Sequence, residues 1–191
     1  MSTRDQIIEA AAKLFAEHGY RGMTMKEIAS EVGIKAPSVY AFFKNKDEVF
    51  TSIYQEALEG HLSAVEMQLQ KSKTVKEQLY TILKAAVNFQ FQEEIKSKIL
   101  IRLIISPPDF LKDDIAKRFE VLEKREYDLL YQLFEYGMEN GEIKKVDSNE
   151  LSIAFQCLMD GIFWEMQRYN EQQIYERLEI LFKQFWNGIS V

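Results

Sequence analysis

The chain has one cysteine, Cys157, two histidines, His18 and His61, and three prolines in 191 residues. Each scarcity closes off a class of protein. A single thiol cannot form an internal disulfide, and its place in an apolar helical stretch predicts an inert, buried side chain rather than a redox sensor. Two histidines are too few for most metal sites. The positions three before them hold Phe15 and Leu58 rather than glutamate, which also removes the di-iron bundle pattern. No nucleotide loop, nucleophile elbow or zinc signature occurs anywhere. We therefore assign no catalytic residue, metal or cofactor, and expect no enzyme. No apolar run approaches the ~20 residues needed to span a bilayer. The N-terminal MSTRDQIIEA is charged and lacks a signal peptide's apolar core. The expectation is a cytoplasmic protein with no membrane partner.

What is present describes a soluble globular chain, with 47% hydrophobic and 28% charged residues. The formal charge of −6 is unevenly spread. Residues 1–50 hold seven of the 24 basic and seven of the 30 acidic side chains, so the acidity belongs to the remainder. Because distant charge is screened over about 10 Å, a local basic patch in the first quarter can still meet a polyanion.

Apolar residues recur at helical spacing throughout, and the prolines and most glycines fall between the periodic segments. This predicts an all-α fold of nine to ten helices and no sheet. Thr3 with Gln6 reads as a capping box opening a helix that stops at Gly19. Asn45 with Glu48 opens a longer helix that Gly60 bends or interrupts, with Leu62, Val65 and Leu69 continuing its pattern. Thr74 with Glu77 opens the next. KILIRLIIS, stopped by Pro107-Pro108, reads as a short buried helix. Further helices are expected from Asp109 or Lys112 to Asn140, over 148–169 behind a cap from Asp147 and Glu150, and over 171–187.

Thr24 to Lys46 is the most informative stretch. Thr24 and Glu27 form a capping box at the start of a short helix carrying Ile28, Ala29 and Val32, and Gly33 supplies a corner. A second helix follows, with Pro37 tolerated in its first turn and Val39, Phe42 and Phe43 on its inner side. Two helices joined by a three- or four-residue turn containing glycine make a helix-turn-helix. Between Arg21 and Lys46 the bases Arg21, Lys26, Lys35, Lys44 and Lys46 face only Glu27 and Glu31, while Ser38 and Tyr40 add hydroxyls. Phosphate contact requires such a face.

The order Thr24, Ile28-Ala29, Gly33, Val39-Tyr40, Phe43, Lys46, preceded by an amphipathic helix ending in Gly19-Tyr20, resembles the DNA-binding module of the TetR (tetracycline-repressor-like) regulators. The likeness covers about the first quarter of the chain, and departs from the common pattern at Phe42, where histidine is frequent, and at Pro37, where glycine is frequent. It implies a DNA-binding domain over 1–46 and a helical ligand-binding and dimerisation domain over 47–191. In the DNA-binding domain Thr24 would anchor a helix start, and Tyr40 and Lys46 would contact phosphates. Lys35, Ala36, Pro37 and Ser38 would face base edges or flanking phosphates, and Lys26 and Lys44 add charge.

The resemblance also implies a homodimer built by the last two long helices. Leu151, Phe155, Leu158 and Ile162 form one apolar stripe, and Ile153, Cys157, Gly161 and Trp164 another. The expected interface residues are Leu151, Leu158, Gly161 and Ile162 with Leu178, Leu181, Phe182 and Phe185. A small-molecule effector is expected among Tyr54, Leu58, His61, Leu62, Phe89, Ile104, Phe110, Tyr127, Tyr131, Phe155, Phe163 and Trp164. The aromatics, with Asp160 and Glu165 as candidate counter-charges, favour an apolar or lipophilic cationic molecule over an anion. The expected partner is double-stranded DNA with an inverted-repeat operator. The competing readings are an all-helical interaction scaffold and a ligand-independent, constitutive DNA binder.

Overall fold

The computed structural model describes the backbone of residues 1–66 and 74–191, and the side chains of 1–60 and 74–191. Among these are nine α-helices: α1 (Thr3–Gly22), α2 (Met25–Val32), α3 (Ala36–Tyr40), α4 (Lys46–Glu66), α5 (Val75–Gln92), α6 (Glu94–Ile105), α7 (Lys112–Glu139), α8 (Ser148–Glu165) and α9 (Glu171–Ile189). A single 3-10 turn, Asp109–Leu111, leads into α7. Extended pairing among the described residues is limited to one bridge, between Ile143 and Ser190. The chain divides into two compact units, Met1–Leu62 with Glu93–Ile115, and Ser63–Gln92 with Ala116–Val191. The first is larger than the module read from the sequence as 1–46, because it takes in most of α4 and all of α6.

The first unit is organised by its helix ends. α1 begins one residue earlier than the Thr3–Gln6 pattern suggested: Ser2 is the N-cap and makes a reciprocal box with Asp5. It also outlasts Gly19, which sits at φ 70° and ψ 179° as a kink within the element. No other residue type takes that backbone cheaply. The carbonyls freed around the kink find a donor in α6. Arg102 gives its Nε–H to the Ala16 oxygen at 3.1 Å and an Nη2–H to the Glu17 oxygen at 3.1 Å. Ile7, Ala11 and Phe15 face inward, and Phe15 packs on Phe50 of α4 with ring centres 4.6 Å apart.

At the start of α4, Asn45 accepts from the Glu48 N–H at 2.9 Å, as its sequence predicts. The Glu48 carboxylate, however, reaches past Asn45 to the Lys44 N–H at 2.6 Å. Gly60 does not break the helix, and Leu69, read as continuing its pattern, lies outside the described residues. The KILIRLIIS segment is helical but buried on one face only. Ile99, Leu100 and Leu103 are covered, whereas Ile104 and Ile105 are exposed.

The second unit is organised by volume. Val75, Leu79, Ile82 and Leu83 of α5, Leu130 and Phe134 of α7, Phe155 and Ile162 of α8, and Leu178 and Phe182 of α9 form one buried cluster. Phe155 sits between Phe134 and Phe185, at ring-centre distances of 6.1 and 5.3 Å. α5 opens with the Thr74–Glu77 box. α8 is capped by Asp147 alone, which accepts from the Asn149 N–H, and ends at Glu165 rather than running to 169. α9 starts from a box the sequence reading passed over, Asn170 with Gln173.

Candidate nucleic-acid interface

α2 starts on Thr24, whose side chain accepts from the Glu27 N–H at 3.2 Å while the Glu27 carboxylate accepts from the Thr24 N–H at 2.9 Å. It stops at Gly33 (φ 75°, ψ 26°). The Gly33 N–H reaches back to Ala29 and Ser30, and the Ile34 N–H bonds the Ala29 oxygen at 2.9 Å. This left-handed corner is the reason for glycine there. Three residues later α3 begins, with Pro37 in its first turn and no side-chain cap. Ile28, Ala29, Val39 and Phe43 are buried, so α3 is held by its inner face.

The outer face is polar and basic. Lys26, Lys35, Pro37, Ser38, Tyr40 and Lys44 are exposed, and Ala36 is half-buried. Glu27 is occupied by its cap, which leaves the cations the larger share of the local field. Phe42 was expected inside but is 43% exposed beside the 54% exposed Tyr40. Val39 and Phe43, four residues apart, take the inner positions and leave Phe42 outside them. Lys46 is also placed differently from a free phosphate ligand. Its ammonium bonds the Tyr20 carbonyl at 2.8 Å and lies 4.1 Å from the centre of the Tyr20 ring.

Two participants were missed in the sequence. Arg4 stacks over Phe43, 5.2 Å from the ring centre, and gives a hydrogen bond to the Ser52 hydroxyl. Tyr20 donates its hydroxyl to Asp47 and packs on Phe50 and Phe110. Burial, and then that carboxylate, push the Tyr20 phenol well above its usual range. A residue just after a predicted helix stop gives no periodic signal, and neither does an isolated arginine in a first turn.

The residues expected to line an effector site fall into two groups. In the first unit Tyr54 is fully buried and donates to Asp114, Leu58 is buried, and Ile104 and Phe110 are exposed. The side chains of His61 and Leu62 lie outside the described residues. In the second unit Phe89 and Phe155 are buried. There Tyr127 stacks on Tyr131 and donates to Asn149 at 2.5 Å. Phe163 meets the edge of Trp164, which is 46% exposed. Glu165 is already paired, at 2.5 Å from the Arg177 Nε. Asp160 has its carboxyl pushed up, first by burial and then by the Glu126 charge.

The interface stripes of α8 require correction. Leu151 and Ile162, with Leu178 and Phe182 of α9, are buried in this chain's own core, and Leu158 and Phe185 are packed against that core. These six fill the cluster around Phe155, so a second subunit cannot reach the buried four. The uncovered stripe is the other one, with Ile153 55% and Trp164 46% exposed and Cys157 and Gly161 open between them. Cys157 is accordingly exposed rather than buried. Leu181 of α9 is exposed.

Residues 7–53 match the bacterial regulatory proteins of the tetR family, and residues 61–190 match the QacR-like protein C-terminal region. The HTH-type transcriptional regulator QacR of Staphylococcus aureus is 25% identical over 193 residues, covering all of both chains. A fatty acid metabolism regulator protein of Bacillus subtilis is 24% identical over 140 residues, 73% of this chain and 70% of that one. Among solved structures, the fatty acid degradation regulator FadR from Bacillus halodurans has the same fold, with a TM-score of 0.71 at 21% identity over 97% of this chain and 95% of that one. No helix among the described residues is long and apolar enough to cross a membrane. The chain belongs to the TetR family of helix-turn-helix transcriptional regulators, DNA-binding proteins that are generally repressors and are not enzymes.

Proposed function

We propose that the chain is a homodimeric repressor that grips an inverted-repeat operator in the cytoplasm with two copies of α3 and releases it when an apolar or lipophilic cationic molecule enters the body. The observation that carries this reading is the open stripe Ile153, Cys157, Gly161 and Trp164 on α8, with Leu181 on α9. Apart from its own helix backbone, a Cβ added at Gly161 would meet no atom within 4 Å among the described residues, so another helix has room to approach closely there. A two-fold partner covers such a stripe with its own copy, and two-fold symmetry in the protein is mirrored in the DNA, with half-sites about one helical turn or a multiple apart.

The effector class rests on the aromatic content of the body and on Asp160, which sits beside the Glu126 charge while Glu165 is paired with Arg177. An acyl anion is the rival effector, and the fatty-acid regulators among the similar proteins favour it.

DNA selected from a random pool on the purified protein supplies the operator. The selected sequences should contain an inverted repeat, and light scattering should give a dimer for the free protein, with Gly161→Arg giving a monomer of much weaker binding. A monomeric wild type at micromolar concentration would overturn the assembly. Fluorescence anisotropy with lipophilic cations, neutral lipophiles and acyl anions decides the effector, and release by acyl anions alone would reverse the charge preference. If none releases DNA, the constitutive binder is the correct reading.

A further inference from the structure

We infer that Lys46 acts on DNA binding as a positioning residue, clamping the end of α1 to the start of α4, rather than as a phosphate contact. Lys46 is the first residue of α4, where the helix dipole disfavours a cation. Its ammonium reaches across to α1 instead. The Tyr20 carbonyl, just past the Gly19 kink of α1, accepts from Lys46 at 2.8 Å. The Met23 N–H approaches that oxygen only to 3.4 Å, so Lys46 is its closer partner. The ammonium also lies 4.1 Å from the centre of the Tyr20 ring, a cation–π distance. The next residue, Asp47, accepts the Tyr20 hydroxyl. One tyrosine is thus held at its carbonyl, ring and hydroxyl by two consecutive residues of α4.

The clamp bears on DNA because α3 cannot orient itself. It has five residues and no side-chain cap, far below the length at which a helix holds its own shape. Its inner face is anchored by Val39 and Phe43, and the chain then turns directly into α4. Fixing the first residue of α4 against α1 therefore fixes the exit of α3 and, with it, the presentation of Lys35, Ser38 and Tyr40.

The inference rests on the DNA-binding reading, which salt-sensitive retention of the selected operator by the wild type tests separately. If the wild type binds no DNA, both fall. The full-length protein, with Lys46→Met, Lys46→Arg, Lys44→Met and Tyr20→Leu variants, is titrated with operator across a salt series. Lys46→Met should weaken binding about tenfold or more, the worth of one hydrogen bond to a charged group. The log–log salt slope should stay unchanged, and Lys46→Arg should restore most of the loss. Tyr20→Leu, read independently should Lys46→Met fail to fold, should weaken binding with the same unchanged slope. The exposed Lys44 is the contrast: its loss should lower the slope by about 1.8, or ~0.9 for each of two half-sites. A slope change of that size in Lys46→Met would make Lys46 a phosphate contact and overturn the inference. Unchanged affinity with only a lower melting temperature would overturn it as well, leaving a purely structural role.

Discussion

The two compact units are held together by different kinds of interaction. In the first, polar groups fix the ends of short helices. Ser2 and Thr24 cap α1 and α2, Arg102 binds the carbonyls at the Gly19 kink, and Lys46 and Asp47 hold Tyr20. In the second, four long helices share a large apolar cluster, and polar bonds such as Tyr80 to Glu179 and Tyr175 to Asn88 lie around it. Directional bonds define where a helix starts and which way it points, which a surface that must match a DNA groove requires. Apolar packing stabilises strongly but without direction, so it suits a body proposed to carry assembly and ligand binding.

If this contrast holds, the largest single loss comes from the body. Phe155→Ala removes a fully buried ring from between Phe134 and Phe185 and should cost about 3–5 kcal/mol. Both tryptophans, Trp164 and Trp186, lie in the second unit, so their fluorescence during urea unfolding reports on it. A cost below about 1 kcal/mol, a lost hydrogen bond's worth, would break the comparison.

Arg102→Ala should cost less, about 1.5 kcal/mol, at the low end for bonds to a charged donor because water can reach the freed Glu17 carbonyl. Its signature is local. Amide exchange should accelerate around residues 16–20 while the second-unit transition stays in place, and a uniform loss across both units would contradict the division. Thr24→Ala should be smaller again. It removes one half of a capping box and should cost about 1 kcal/mol, seen as a lower melting temperature and weaker operator binding in the same variant.

The same contrast explains what could be read from the sequence. Helix caps and left-handed corners are local, so the Thr24 and Thr74 boxes and the Gly33 turn were visible in the residues that make them. Even the misses at Thr3 and Glu48 were off by one residue, because a neighbouring group of the same chemistry took the role. Which of two apolar stripes on α8 faces inward depends on partners from α5, α7 and α9, which periodicity does not supply, and Leu151 and Ile162, expected at an interface from the resemblance, lie in this chain's own core. Phe42 and Cys157 turned outward for the same reason: apolar character measures a preference for burial, and neighbouring helices decide whether burial is available. The hold of Lys46 on Tyr20 spans 26 residues, and a basic residue beside a helix-turn-helix looks the same in sequence whether it binds a phosphate or a carbonyl.

The smallest expected effect concerns two tyrosine–carboxylate pairs, Tyr20 with Asp47 in the first unit and Tyr80 with Glu179 in the second. In the second unit burial, followed by the bond to Glu179 and its charge, pushes the Tyr80 phenol up to about 12 from an ordinary 10.0. Tyr175 is shifted the same way, by burial and then by Glu171. An acid whose folded pKa is raised prefers its neutral form in the fold. Its stabilisation is therefore complete below pH 10 and drains away as the pH climbs through the folded value. Tyr20, pushed up by burial and then by Asp47, should behave alike in the first unit and retain part of its contribution even at pH 12. Melts followed by tryptophan fluorescence at pH 9, 10, 11 and 12 should show a decline setting in above pH 10. Tyr80→Phe should make it shallower, and Tyr20→Phe should leave it almost unaltered because Tyr20 lies in the other unit. Equal effects from the two substitutions would mean that the units unfold as one, which would erase the distinction between a head fixed by polar bonds and a body fixed by volume.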